Sequence, residues 1–165
     1  MNPFLIAGSP NLRGWLMFKL SLLALFLFSS LFPLPVLAQD DSIGFVKTVT
    51  GNATVLTGAK AVNAQPGTPL YVGSVLKTGK EDSLGVTFKD NTVMSFGPDT
   101  QVTVDEYLYA PTKGNLKLVT SITQGTLHYI SGVIAKLKPE SISVKTPTGI
   151  IGVRGTHFLA KVEAE

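Results

Sequence analysis

The chain has 165 residues, enough for one domain with its own core and too few for two comfortable ones. It contains no cysteine, which excludes disulfides, zinc–thiolate sites, a cysteine nucleophile and a lipid-modified N-terminal cysteine. The formal charge is +3, but Arg13 and Lys19 precede residue 38 and all eleven acids follow it, so the remainder has twelve basic against eleven acidic residues and no clustered basic face for nucleic acid.

The N-terminal stretch has the layout of a secretory signal: Lys19, an apolar run from Leu20, helix-breaking Pro33 and Pro35, then Val36-Leu37-Ala38 ahead of Gln39-Asp40-Asp41. Residues 1–38 are therefore expected to be a signal peptide cleaved after Ala38, with Met17 as a more conventional start. The alternative is an uncleaved anchor, since the run approaches the roughly 18 residues that span a bilayer. Membrane contact is expected only through this segment, if it stays uncleaved.

Residues 39–165 alternate apolar and polar positions with almost no helical period, which predicts a single all-β domain of short strands. Ile43–Thr50 reads as a strand, Gly51-Asn52 as a turn and Ala53–Leu56 as a second strand. Gly58–Pro69 is polar, contains Pro66-Gly67 and reads as a loop. Leu70–Gly79 reads as a strand bent or bulged at Gly73, and Lys80–Asp82 as a solvated tip. Ser83–Lys89 and Thr92–Phe96 form a hairpin across Asp90-Asn91, residues that tolerate the left-handed region. Gly97-Pro98-Asp99 closes it. In Gln101–Tyr107, Val102 and Val104 should face one side and Thr103 and Asp105 the other.

Ala110–Asn115 is turn-rich. Leu116–Ile122 and Thr126–Ile130 read as two strands flanking Gly125, Ile134–Lys138 fits either a helical turn or a strand, and Ser141–Val144 and His157–Val162 read as strands. The spacing suits a sandwich, a barrel or a β-solenoid and does not separate them. No helix is long enough for the crossovers of a doubly wound α/β sheet.

Between the last two strands, Pro147 fixes an extended dipeptide with Thr146, and Gly149, Gly152 and Gly155 recur every third residue. This predicts a loop with positive φ angles or close backbone approach, pinned by Ile150, Ile151 and Val153. Arg154 is expected to lock it by pairing with an acid such as Asp90 or Asp105 and with backbone carbonyls; a ligand-binding role is the rival.

Catalytic groups are not evident. There is no nucleophile elbow and no phosphate-binding loop. The acids Asp40-Asp41, Glu81-Asp82 and Asp105-Glu106 are adjacent, so in strands they point to opposite faces. His128 and His157 lack further ligands at metal-binding spacing and are expected to be half-buried. No enzyme, cofactor or metal site is therefore expected. Tyr71, Tyr107, Tyr109 and Tyr129 form a candidate partner surface, with core packing as the alternative.

Four separated pieces, in order, resemble the FecR-like domain family. Val49-Thr50-Gly51-Asn52-Ala53 resembles its opening strand and turn. Val72-Gly73 with Leu76, Thr78 and Gly79 resembles a second motif. Leu84–Asp90 with Gly97-Pro98 resembles its hairpin, with Asn91 in place of the usual glycine and Thr100 in place of serine. Thr146-Pro147 with Val153-Arg154-Gly155-Thr156 and Phe158 resembles the closing VRGT.F signature. The resemblance covers Ile43–Phe158.

It implies an exported, non-catalytic module working in the periplasm by binding a protein partner in envelope sensing or regulation, by strand pairing at an exposed edge. It makes Pro147, Gly149, Gly152, Arg154, Gly155 and Thr156 a structural motif. At most nineteen residues precede the apolar run, so a cytoplasmic anti-sigma segment like that of well-known relatives is not expected. The rival function is a carbohydrate- or peptidoglycan-associated structural domain using the tyrosines.

Overall fold

The computed structural model describes residues 41–154 and 157–163. The expected signal segment and its cleavage point lie outside the described residues, as do Gly155 and Thr156. The unit Asp40–Glu165 is all-β, and the buried apolar cluster is drawn from within it.

Twelve strands are described: β1 (Gly44–Thr50), β2 (Thr54–Thr57), β3 (Lys60–Asn63), β4 (Pro69–Leu70), β5 (Val75–Lys77), β6 (Ser83–Phe88), β7 (Val93–Phe96), β8 (Gln101–Ala110), β9 (Asn115–Ile130), β10 (Ile142–Thr146), β11 (Gly149–Gly152) and β12 (His157–Val162). One short helix, α1 (Val133–Leu137), lies between β9 and β10. The strands form a curled sheet whose two arms share β9. One arm runs β4-β1-β6-β7-β9-β12 and the other β3-β2-β5-β8-β9-β10-β11. Every pairing is antiparallel except β9 with β10.

The sixteen-residue β9 organises the fold. Its first half lies between β8 and β10, its second between β7 and β12. Leu116, Leu118, Thr120 and Ile122 point inward from the first half, and Leu127 and Tyr129 from the second. The inward parity thus changes from even to odd around Thr123–Gly125. A register shift against β8 lies there, and Gly125 has φ +94°. A Cβ at Gly125 would fall on the Thr100 backbone, so only glycine lets the strand turn from one arm into the other. The two strands expected around Gly125 are therefore one. Gly125 marks a bend within one strand and not a break between two.

The core joins both arms: Val46, Leu84, Val86, Phe88 and Met94 from one, Val55, Leu76, Val102, Val104 and Ile142 from the other. Burying each such side chain is worth about 1.5–3 kcal/mol, and this non-directional term holds the arms together. Val102 and Val104 are buried and Thr103 and Asp105 partly exposed, as their alternation predicts. Gly58–Pro69 departs from the expected loop: Lys60–Asn63 pairs with β2 to make a hairpin turning at Gly58-Ala59. Its four residues at the sheet margin carry little apolar alternation, which hid it. Leu70–Gly79 is divided into β4 and β5 by the turn Tyr71–Ser74, with Gly73 at φ +83°.

Two buried polar clusters fix the loops. Asp90 sits in the β6–β7 turn beside Asn91 (φ 64°) and is fully buried. Its carboxylate accepts from the Thr92 hydroxyl at 2.7 Å and from Thr92 N–H, the Tyr107 hydroxyl and Ile134 N–H at 3.3 Å each. Its backbone carbonyl accepts from Val133 N–H at 2.7 Å. One turn residue thereby receives two of the otherwise unpaired first amides of α1, which resolves Ile134–Lys138 as a helical turn. Gly132 is required at the junction, because a Cβ there would meet Asp90 O and Thr92 N. In the second cluster, Thr78 donates to Gly97 O at 2.6 Å and accepts from Thr100 N–H at 2.9 Å. Thr100 in turn donates to Gly97 O at 2.8 Å and accepts from Thr126 N–H at 2.9 Å.

Candidate functional site

Among the described residues, Thr146–Gly152 form a hairpin and not a loop locked by Arg154. Thr146, Pro147, Thr148 and Gly149 make a tight turn in which the Thr146 hydroxyl donates to Gly149 O at 3.0 Å and accepts from Gly149 N–H at 3.1 Å. The chain then runs back as β11, in register Thr146–Gly149 to Ser143–Gly152 against β10. Gly149 and Gly152 are extended strand residues with open space where a Cβ would stand, so neither needs positive φ or close approach. The hairpin uses Pro147 as a turn former, and the three-residue glycine period reflects no backbone constraint at these two positions.

Arg154 is exposed and makes none of the expected ties. Asp90 is enclosed in its own cluster. Asp105 accepts from the Ser121 hydroxyl at 2.6 Å and pairs with Lys145 at 3.3 Å. Both carboxylates are engaged by other groups. Val153 is buried and anchors the exit from the hairpin, while Ile150 is 70% exposed and pins nothing.

The tyrosines do not assemble into a surface. Tyr129 is fully buried and stacks on Phe158 with ring centres 5.1 Å apart, and Tyr107 is 8% exposed and stacks on Phe88 at 5.6 Å. Burial, with the nearby Asp90 charge adding to it, pushes the Tyr107 hydroxyl well above the usual phenol range. Burial likewise pushes Tyr129 up to about 12; its hydroxyl lies near Thr92 and Ser131 without a hydrogen bond of good geometry. Tyr71 and Tyr109 are half-buried on separate strands and turns. Tyr107, Tyr109 and Tyr129 pack in or against the core, so the four tyrosines do not make one exposed stacking face.

The two histidines, expected to be half-buried, are exposed. They lie on paired strands, β9 and β12, with ring centres 6.5 Å apart. Among the described residues no group of three or more metal-ligating side chains comes together.

What the fold does bring together is an open groove beside the last described strand. The β10–β11 turn and β12 enclose about 570 Å³, lined by Thr146–Ile151 on one side and Leu159–Glu163 on the other. Ile150 and Leu159, at 70% and 72% exposure, put large apolar groups here at the surface. Among the described strands β12 pairs with β9 alone. Phe158 and Val162 point back onto the core, whereas His157, Leu159, Lys161 and Glu163 face outward. An edge of this kind offers backbone donors and acceptors to a further strand, with side-chain contacts adding selectivity. The sequence predicts the strand; pairing at an edge is what the family resemblance implies, and the place of β12 depends on the bend in β9.

The family model for FecR protein matches residues 74–165, from the turn before β5 through β12. Neither a curated protein nor a solved structure matches the chain.

Proposed function

The chain belongs to the FecR protein family, and from that membership we propose that it is an exported, non-catalytic protein-binding module of the cell envelope. The family is one of envelope signal regulators and is generally regulatory and not catalytic. The observation that carries the binding mode is the groove between the β10–β11 turn and β12, which bears the exposed Ile150 and Leu159. In this reading an extended segment of a partner adds to β12, its backbone completing the ladder and its alternate side chains entering the groove. The N-terminal signal layout supports work in the periplasm after cleavage behind Ala38.

Two experiments test the proposal. N-terminal sequencing of the exported protein should begin at Gln39; a mature chain still starting at Met1 or Met17 removes the soluble periplasmic form. A photo-reactive residue in place of Leu159 should attach in cells to a discrete protein, whereas the same residue in place of Leu108, exposed on β8, should not. Equal capture from both positions, or glycan alone, contradicts it.

A further inference from the structure

We propose that a cleft between the two margins of the curled sheet, walled by Val62, Pro69 and Tyr71 and bearing Lys60 at its lip, binds a sugar ring that carries a carboxylate. The cleft shares no described residue with the groove at β12, so this goes beyond the proposed function and is tested apart from it. β3 and β4 end the two arms of the sheet and do not pair with each other. Residues of the β2–β3 hairpin and of Thr68–Tyr71 line about 370 Å³ between them. Ligand clefts run from about 300 to 1,000 Å³, so this one takes a single ring and not a long chain.

The described lining offers donors and no acid. In the β2–β3 register Val55 lies opposite Val62 and Thr57 opposite Lys60, and period two places both pairs on one face, that of the buried Val55. Lys60 is thereby set beside Thr57 at the end of an apolar floor, and among the described residues its ammonium pairs with no carboxylate. The fully buried Ser74 hydroxyl accepts from Tyr71 N–H at 3.0 Å and lies 2.7 Å from the Thr57 hydroxyl. With the Ser74 proton given to Thr57, the Thr57 proton is left for the cleft. The Thr68 hydroxyl accepts from Gln65 N–H at 2.9 Å, which leaves its proton for the cleft as well. Tyr71 is half-buried, yet unlike Tyr107, Tyr109 and Tyr129 it does not pack on the buried cluster. One cation, two hydroxyl donors and an aromatic side chain beside aliphatic ones match a ligand with a carboxylate, hydroxyl oxygens and an apolar C–H face, and a hexuronic acid has all three. A neutral sugar leaves Lys60 unused, and a bare carboxylate leaves the wall of Pro69 and Tyr71 unused.

Titration of the purified chain with D-galacturonate, followed by amide NMR, tests this. The signals of Thr57, Lys60, Thr68 and Tyr71 should shift together at millimolar sugar and saturate, and added salt should weaken the binding. D-Galactose, which lacks the carboxylate, and acetate, which lacks the ring, should each bind roughly tenfold more weakly. Lys60→Gln should lose the preference over galactose without lowering the melting temperature, since Lys60 is exposed, and Lys60→Arg should keep it. Tyr71→Ala should weaken both sugars, whereas Lys47→Gln, at an exposed lysine of β1 outside the cleft, should weaken neither. Trigalacturonate held more tightly per ring would make the natural source a polymer, and equal affinity per ring a free sugar acid. Shifts centred on other residues, galactose or acetate bound as tightly as galacturonate, or no saturable shift at all overturn the proposal. Protein capture at position 159 is read separately, so failure here leaves the proposed function standing.

Discussion

Replacing Asp90 by alanine removes the acceptor on which the β6–β7 turn, β8 and α1 converge. Four donors lose their partner: the Thr92 hydroxyl and N–H, the Tyr107 hydroxyl and Ile134 N–H. The Thr92 hydroxyl can rotate. The other three stay in a region where Asp90, Thr92 and Ile134 have no exposure. A buried donor left without a partner costs about 1–3 kcal/mol, and bonds of 3.3 Å belong at the low end, so the sum is about 3–5 kcal/mol. Against a typical domain stability of about 5–15 kcal/mol, that is a large fraction of the total. In urea denaturation, with a slope of about 1–3 kcal/mol/M, the midpoint should fall by about 2 M.

Asp90→Asn keeps the volume and one acceptor oxygen but turns an amide toward a donor, and should cost about half as much. Tyr107→Phe removes a shared bond, so its effect and that of Asp90→Ala should sum to more than the double variant loses. An Asp90→Ala protein within about 1 kcal/mol of the parent, or strict additivity with Tyr107→Phe, would refute the assignment of Asp90 as the common acceptor.

Gly125→Ala forces a Cβ onto the Thr100 backbone at φ +94° and should destabilise by about 2–4 kcal/mol, read as a lowered urea midpoint; a neutral result would mean that β9 bends elsewhere. Arg154→Lys should leave the melting temperature within about 2 °C, because the side chain is exposed and pairs with neither Asp90 nor Asp105; a large drop would restore the locking role. Tyr129→Phe should be nearly silent at neutral pH, since the hydroxyl has no well-formed bond to lose. The folded-state value of Tyr129 lies above the unfolded one, so its contribution is whole below about pH 10 and is lost as pH rises towards about 12. The phenylalanine variant should therefore lose stability less steeply across that window, and an unchanged slope would contradict the burial of this phenol.

Much of the fold was legible because short-range chemistry agreed with it. Asp90-Asn91 marked a hairpin, and Asn91 does adopt positive φ. The alternation through Val102 and Val104 gave the correct inward face. The site was less legible, because its features depend on what is left over after packing. Asp90 looks like a solvated turn acid in sequence; only the return of α1 forty-four positions later makes it a buried acceptor. Tyr107 and Tyr129 were indistinguishable from surface aromatics, since period-two alternation does not say which face is inward once a bulge at Thr123–Gly125 or Asp105 has changed the parity. Gly149 and Gly152 gave a misleading signal: their spacing imitated a constrained loop, but the hairpin needs neither of them. The place of β12 beside the second half of β9, and the groove this leaves against the β10–β11 turn, follow from sheet order, which no local pattern encodes.

The central claim is that this FecR-family chain works by receiving a strand at β12, and hydrogen exchange on that strand tests it most directly. With the captured partner bound, the amides of Phe158–Glu163 should become protected while those of β3 and β4 keep their free-state rates. Protection confined to another face, with β12 exchanging as before, would contradict the account.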